Sequence, residues 1–87
     1  MNATEALAEI QLLAGRRWIR YTGHAFTRMD KRGASRDDVR NALLTATSAR
    51  WQADEGTWKV DGGHDREGDE LTVAVSIEAD VVVVTLF

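Results

Sequence analysis

The chain of 87 residues contains no cysteine and no proline. Without cysteine it can form neither a disulfide nor a thiolate metal site, and its composition fits the reducing cytoplasm, which is the location we expect. Without proline, no helix or strand is interrupted by a residue that lacks a backbone N–H. Residues 1–87 are long enough for one modest hydrophobic core, so we expect a single domain.

The chain also has no long hydrophobic run. The longest, residues 81–84 followed by Leu86 and Phe87, is too short to span a bilayer, so we expect no membrane partner. The first 13 residues contain Glu5 and Glu9 and no basic start, which is not the pattern of a signal peptide.

The charge is unevenly distributed, although the formal net charge is only −3. Residues 1–50 contain nine Lys/Arg and five Asp/Glu, which gives +4, and residues 51–87 contain two and nine, which gives −7. The basic part is suited to phosphates and the acidic part to a basic partner, unless the two parts mainly attract each other. The acidic total is unfavourable for binding free nucleic acid.

Helical periodicity predicts three helices, and alternation with period 2 predicts strands after residue 48. The helices are residues 2–14, residues 23–32 and a segment that begins after Ser35. Their ends are marked by the capping boxes Asn2–Glu5 and Ser35–Asp38 and by the glycines Gly15 and Gly33. The last helix has a buried stripe of Val39, Ala42, Leu43 and Ala46.

One strand is predicted between the first two helices and the others after the third. We predict a short strand within residues 17–22, a hairpin whose turn is residues 54–57, a half-buried strand over 71–77 and a central strand over 81–87. Helices followed by strands indicate an α+β domain, with the helices packed on one face of an antiparallel sheet of about four strands. The three tryptophans occupy strand positions, where burial is the default expectation: Trp18, Trp51 and Trp58.

The most distinctive stretch is residues 21–33, which places a histidine and several cations on one short helix. Side chains three and four positions apart are neighbours on a helix, so His24, Arg28, Lys31 and Arg32 form one stripe. Such a stripe is also typical of a solvated face. A histidine near the start of a helix more often forms hydrogen bonds that fix the helix to the sheet, and Arg28 can pair with a carboxylate such as Asp61 or Asp69.

The polar loop over residues 62–70 contains His64 and several carboxylates, which are ligands for zinc or manganese. It has no second histidine at ligand spacing and no calcium-loop pattern, and glycine with acidic residues is ordinary turn chemistry. We therefore expect no metal and no cofactor.

Four short motifs in order resemble the bacterial domain-of-unknown-function family 4258. They are His24-Ala25-x-x-Arg28-Met29, Arg32-Gly33-x-Ser35-x-x-Asp38-Val39, Gly56-x-Trp58-x-Val60 and Val83-Val84-Thr85. The resemblance covers residues 18–87 and leaves the helix over 2–14 as an addition. The strand, two helices and antiparallel sheet of this family are similar to those of RelE-type and BrnT-type toxins of toxin–antitoxin systems, which are small metal-independent ribonucleases.

The resemblance implies attack of an RNA 2′-hydroxyl on its phosphate, in the cytoplasm, with RNA or the ribosome as substrate and a cognate antitoxin as partner. His24 would be the general base or acid, Arg28 the cation at the transition state, and Tyr21 or His64 the second proton carrier. The RNA backbone would be held by Lys31, Arg32, Arg36 and Arg40.

The alternative is a non-catalytic protein-interaction module that uses its basic helical face or its acidic hairpin. The two functions predict different geometry, because an enzyme needs His24 and Arg28 to converge in an open cleft with a second proton carrier, whereas a binding module does not.

Overall fold

The computed structural model of the protein describes residues 1–87 and contains three helices and one sheet of five strands. The elements in chain order are α1 (Ala3–Gly15), β1 (Ile19–Tyr21), α2 (Gly23–Arg32), α3 (Arg36–Thr45), β2 (Ser48–Gln52), β3 (Thr57–Asp61), β4 (Val73–Ile77) and β5 (Val81–Leu86). The predicted α+β class is confirmed. No helix is both long and apolar enough to cross a membrane.

The strands lie in the order β1-β5-β4-β3-β2. Neighbouring pairs from β2 to β5 are antiparallel, as predicted, and the fifth strand is β1, which pairs with β5 in parallel through Ile19 and Val81. Because a parallel partner must reach the sheet by a crossover, the helices between β1 and the remaining strands make this arrangement possible. Neither the pairing nor its direction has a local sequence signal.

The predicted helix ends are confirmed except at Gly15. Both capping boxes are formed, and Gly33 follows α2 in the left-handed conformation at φ 66°. At the end of α1, Gly15 is the last helical residue, and the left-handed position belongs to Arg17 at φ 63°. Arginine adopts this conformation less readily than glycine, so the turn after α1 is locally strained.

The helices cover one face of the sheet and form the core with it. The fully buried side chains of this core include Ile10 from α1, Val39 and Leu43 from α3, and Val75 and Val83 from the sheet. The alternate strand residues point to the other side, which we call the uncovered face. It includes Arg20, Arg50, Lys59 and Ser76, all at least partly exposed.

Burial is confirmed for only one of the three tryptophans. Trp58 is buried, but Trp18 and Trp51 are each 52% exposed, so the prediction of burial is wrong for these two. Trp18 precedes β1 at one edge of the sheet, with the Arg16 guanidinium 5.4 Å from its ring, and Trp51 lies on the outermost strand at the other edge. A strand position buries a side chain only when a further layer covers it.

The N-terminus of α3 contains a carboxylate with a perturbed pKa. Asp38 accepts hydrogen bonds from the backbone N–H groups of Ser35 (2.9 Å) and Arg66 (3.1 Å), and these bonds, Ser35 first, hold the pKa of Asp38 below its usual 3.8. The pKa of Asp38 is lower in the folded chain than in the unfolded chain. The ionised carboxylate therefore stabilises the fold at pH values above the unfolded pKa. This contribution is lost as the pH falls through the folded pKa.

An Asp38→Asn variant is therefore expected to unfold more easily at neutral pH. Loss of the capping-box carboxylate lowers the free energy of unfolding by about 1 kcal/mol at pH 7, and the difference from wild type shrinks below about pH 4. Urea unfolding at a series of pH values measures both, with Asp54→Asn in the exposed hairpin turn as the matched control. A difference that stays constant down to pH 2 would contradict the carboxylate's role.

Candidate active site

The start of α2 is fixed to the end of β5. Thr22 caps the helix by accepting a hydrogen bond from Ala25 N (3.0 Å), and its own hydroxyl donates to the Val84 carbonyl (3.1 Å). The backbone N–H of Thr22 donates to the Val83 carbonyl (3.0 Å). The first turn of α2 is thus held against the last residues of β5, and the helix extends along this strand where β1 stops.

Two side chains of the predicted stripe reach β5 from this helix. The His24 Nε2 atom lies 3.1 Å from Thr85 Oγ1, and Arg28 Nε donates to the Leu86 carbonyl at 3.1 Å. The suggested pairing of Arg28 with Asp61 or Asp69 is wrong, since Arg28 forms no salt bridge. Packing of α2 on the last strand gives the guanidinium a carbonyl partner instead.

Thr85 also lines a cleft of about 360 Å³ on the uncovered face. Its walls come from β3, β4, β5, the β2–β3 hairpin and the C-terminal residue, and no helix residue contributes. The lining residues are Gln52, Glu55, Thr57, Lys59, Ala74, Val84, Thr85 and Phe87. The His24–Thr85 hydrogen bond therefore holds an exposed imidazole at the edge of this cleft.

Lys59 is the one strand cation without a carboxylate partner. Arg20 pairs with Asp80 at 2.8 Å, and Arg50 pairs with Asp61 at 2.9 Å, whereas no salt bridge involves Lys59. The Lys59 ammonium lies 4.4 Å from the centre of the Phe87 ring. A cation–π contact of this kind leaves the ammonium free to meet an anion in the cleft.

Tyr21 forms no side-chain hydrogen bond with His24. Its ring lies 5.3 Å from that of Phe26, with the Arg36 guanidinium 5.7 Å from its centre. Burial raises the pKa of the Tyr21 hydroxyl, against a smaller opposing effect of Arg36. The phenol is thereby disfavoured as a base.

His64 is held against α3. Its backbone N–H donates to Thr45 Oγ1 (3.0 Å), its carbonyl accepts from Asn41 Nδ2 (2.9 Å), and its Nδ1 atom lies 3.0 Å from the Asp65 carbonyl. None of its hydrogen bonds reaches the residues of the cleft. No three His, Cys, Asp or Glu side chains anywhere in the chain are grouped so that they could hold a metal ion.

None of the four cations predicted to hold a substrate lines the cleft beside His24. Lys31 and Arg32 are in the last turn of α2, so Arg32 is about 12 Å along the helix from His24. Arg36 lies over the rings of Tyr21 and Phe26, at 5.7 and 5.2 Å. Arg40 donates to the Ala14 and Gly15 carbonyls at the end of α1.

Sequence reasoning missed four residues of the cleft: Glu55, Lys59, Thr85 and Phe87. Two of them did have a signal, because Lys59 alternates with the buried Trp58 and Val60 of β3, and Thr85 closes the last motif. Alternation identifies an outward residue, but it does not reveal which strands are neighbours.

A comparison with protein families finds that the model described as Domain of unknown function (DUF4258) matches residues 21–87. The match includes α2, the cleft and all strands except most of β1. It leaves α1 outside, although Ala6, Ile10, Leu13 and Ala14 of α1 are buried in the core. No curated protein and no solved structure matches the chain.

Proposed function

Because the chain belongs to the DUF4258 family, whose function is unknown, we propose an activity from the cleft itself: a small ribonuclease of the toxin–antitoxin type that uses no metal. The observation that carries this proposal is the hydrogen bond between His24 and Thr85. It orients an imidazole at the edge of a cleft that also contains a carboxylate, Glu55, and an unpaired cation, Lys59. These are the groups that phosphoryl transfer from RNA needs.

The proposed reaction is transfer of the RNA phosphate to the neighbouring 2′-oxygen. The 2′-hydroxyl loses its proton to a base and forms a new bond to phosphorus, and the bond from phosphorus to the 5′-oxygen breaks. An acid then protonates the leaving 5′-oxygen. The products are a 2′,3′-cyclic phosphate and a 5′-hydroxyl. The RNA gives one proton to the base and receives one from the acid.

Each of these steps has a residue in the proposed site. Glu55, as a carboxylate, accepts the 2′-hydroxyl proton, and His24, as an imidazolium, donates to the leaving oxygen. Lys59 stabilises the negative charge that develops on the phosphate oxygens. Phe87 is 50% exposed beside Lys59 and offers a ring on which a base can stack.

Replacement of Lys59 by glutamine tests the cleft. We expect Lys59→Gln to reduce cleavage of total RNA, or of messenger RNA on ribosomes, by about 10²-fold with EDTA present, because a charge-stabilising donor is lost. Arg50→Gln is the matched control. It also removes one positive charge, and Arg50 lies opposite Lys59 on the neighbouring strand β2. Unlike Lys59, Arg50 is already bound to a carboxylate, that of Asp61.

Cleavage should stay within about twofold of wild type in Arg50→Gln, since an exposed ion pair contributes little. Equal losses in the two variants would mean that cleavage depends on the overall positive charge of the protein and not on Lys59 in the cleft. Absence of cleavage by the wild type, with and without ribosomes, would overturn the ribonuclease.

A non-catalytic module that binds a protein is the second candidate, favoured by Trp51 on the outer strand β2. Its ring is 52% exposed and packs 5.2 Å from that of Trp58. A cleft of about 570 Å³ beside both rings is also lined by Met1 and Ala3. Exposed aromatic side chains of this kind are common in protein interfaces, and this candidate replaces the ribonuclease if no RNA is cleaved.

A further inference from the structure

A groove rich in arginine lies on the helix side of the molecule and shares no residue with the active-site cleft. It consists of two adjoining clefts of about 220 and 250 Å³ that have Arg17, Asp37 and Arg40 in common. We call it the arginine groove and define it by Arg17, Tyr21, Arg36, Asp37, Arg40 and Arg66. Four arginines and one aspartate give it a local charge of +3, in a protein whose net charge is −3.

Two of these arginines are held in place by neighbours other than carboxylates. Arg40 donates from Nε to the Ala14 carbonyl (2.9 Å) and from Nη2 to the Gly15 carbonyl (3.3 Å). Arg36 lies over the Tyr21 and Phe26 rings. Their positive charges are therefore positioned but not neutralised, and binding an anion costs little further side-chain entropy.

The other two arginines share the aspartate. Asp37 lies 3.9 Å from Arg17 Nη1 and 3.7 Å from Arg66 Nη1, with all three side chains at least 60% exposed. Ion pairs this long and this exposed contribute little to stability. An anion that binds here can thus replace Asp37 as the partner of both guanidinium groups with little loss of free energy.

We propose that the arginine groove binds consecutive phosphates of an RNA backbone, whether or not the cleft is catalytic. Guanidinium groups approach it from three parts of the chain: the turn after α1, helix α3 and the loop after β3. The tetrahedral oxygens of phosphates accept donors from several directions, whereas a carboxylate accepts mainly within its plane. Contacts between guanidinium groups and backbone phosphates do not read the base edges, so binding is independent of base sequence.

The test compares two double variants that each remove two positive charges. Arg17→Gln/Arg66→Gln alters the groove, and Lys31→Gln/Arg32→Gln alters the exposed end of α2. Binding of a labelled single-stranded RNA 12-mer is followed by fluorescence anisotropy at several salt concentrations. We expect the groove variant to lose about tenfold in affinity and to lower the salt-dependence slope by about 1.4, since each phosphate contact adds about 0.7.

Asp37→Asn provides a result of opposite sign. Removing the one negative charge of the groove should strengthen RNA binding severalfold, although it also removes both ion pairs. A purely structural role for these residues predicts no gain. Circular dichroism confirms that each variant is folded, and substitution of exposed side chains should not unfold the chain.

Three results would overturn the proposal: equal losses in the two double variants, no RNA binding by the wild type in low salt, or tighter binding of a polyglutamate peptide than of RNA. The last would identify an acidic protein as the partner. Because the experiment measures RNA binding and not cleavage, its result tests the groove separately from the ribonuclease proposal. If Arg17→Gln/Arg66→Gln bound and cleaved RNA as the wild type does, the groove proposal would be contradicted and the ribonuclease proposal would stand.

Discussion

His24→Gln is expected to reduce RNA cleavage by about 10²- to 10⁴-fold, because a positioned general acid contributes a factor of this size. Glutamine keeps a polar group near Thr85 but cannot exchange a proton at neutral pH. The side chain is exposed and the imidazole forms only one hydrogen bond, to Thr85, so the fold should be retained. Initial rates on a defined RNA, with EDTA present, measure the loss.

Thr85→Val separates chemistry from positioning. Valine nearly conserves the shape of threonine but removes the hydroxyl that lies 3.1 Å from His24 Nε2. With His24 present but no longer oriented, we expect a smaller loss, about tenfold. Thr27→Ala is the control for an effect on helix α2 alone, because Thr27 is exposed and lies about one turn after His24. Wild-type cleavage by His24→Gln would remove the histidine from the mechanism and with it the observation that carries the proposal.

The helices could be predicted from the sequence because their signals are local. The Asn2 and Ser35 boxes and the left-handed Gly33 each act within a few residues, and the structure contains all of them. The hairpin was also predicted, since alternation and a turn with Gly56 are both short-range features.

The candidate site could be predicted only in part, because it is assembled from distant segments. His24 stood out as a histidine in a basic stripe, but its partner Thr85 is 61 residues further along the chain. The cleft requires β3, β4 and β5 to lie side by side with the helices on the opposite face. That arrangement follows from the pairing of all strands, which no motif encodes.

Charge patterning misled most where a cation meets a backbone carbonyl. The sequence predicts carboxylate or phosphate partners for Arg28 and Arg40, but they donate to the carbonyls of Leu86 and of Ala14 and Gly15. Backbone carbonyls at the end of a strand or helix are good acceptors, and no side-chain pattern reveals them. Arg17 and Arg66 meet at Asp37 from two different loops, so no local pattern links them.

Gly63→Ala is expected to destabilise the protein more than any other substitution considered. Gly63 is buried against α3, and a Cβ atom there would overlap the Ala42 carbonyl oxygen and lie 2.8 Å from its carbon. A helix backbone cannot yield as a side chain does, so the loop itself must move. Overpacking of this kind costs about 3 kcal/mol, which corresponds to a fall in Tm of about 12 to 24 °C in a domain of this size.

Gly15→Ala is the matched control, because it makes the same chemical change where nothing lies within 4 Å of the new Cβ. Gly15 is helical, so alanine there should stabilise the protein by about 0.5 to 1 kcal/mol, and the two variants shift the melting temperature in opposite directions. The close approach at Gly63 also keeps the following loop on α3, where Arg66 N binds Asp38 and the Arg66 guanidinium faces Asp37. Gly63→Ala should therefore weaken RNA binding at the arginine groove even at temperatures where the variant is folded. A melting temperature equal to that of the wild type would contradict the stability prediction and show that the loop adapts without strain.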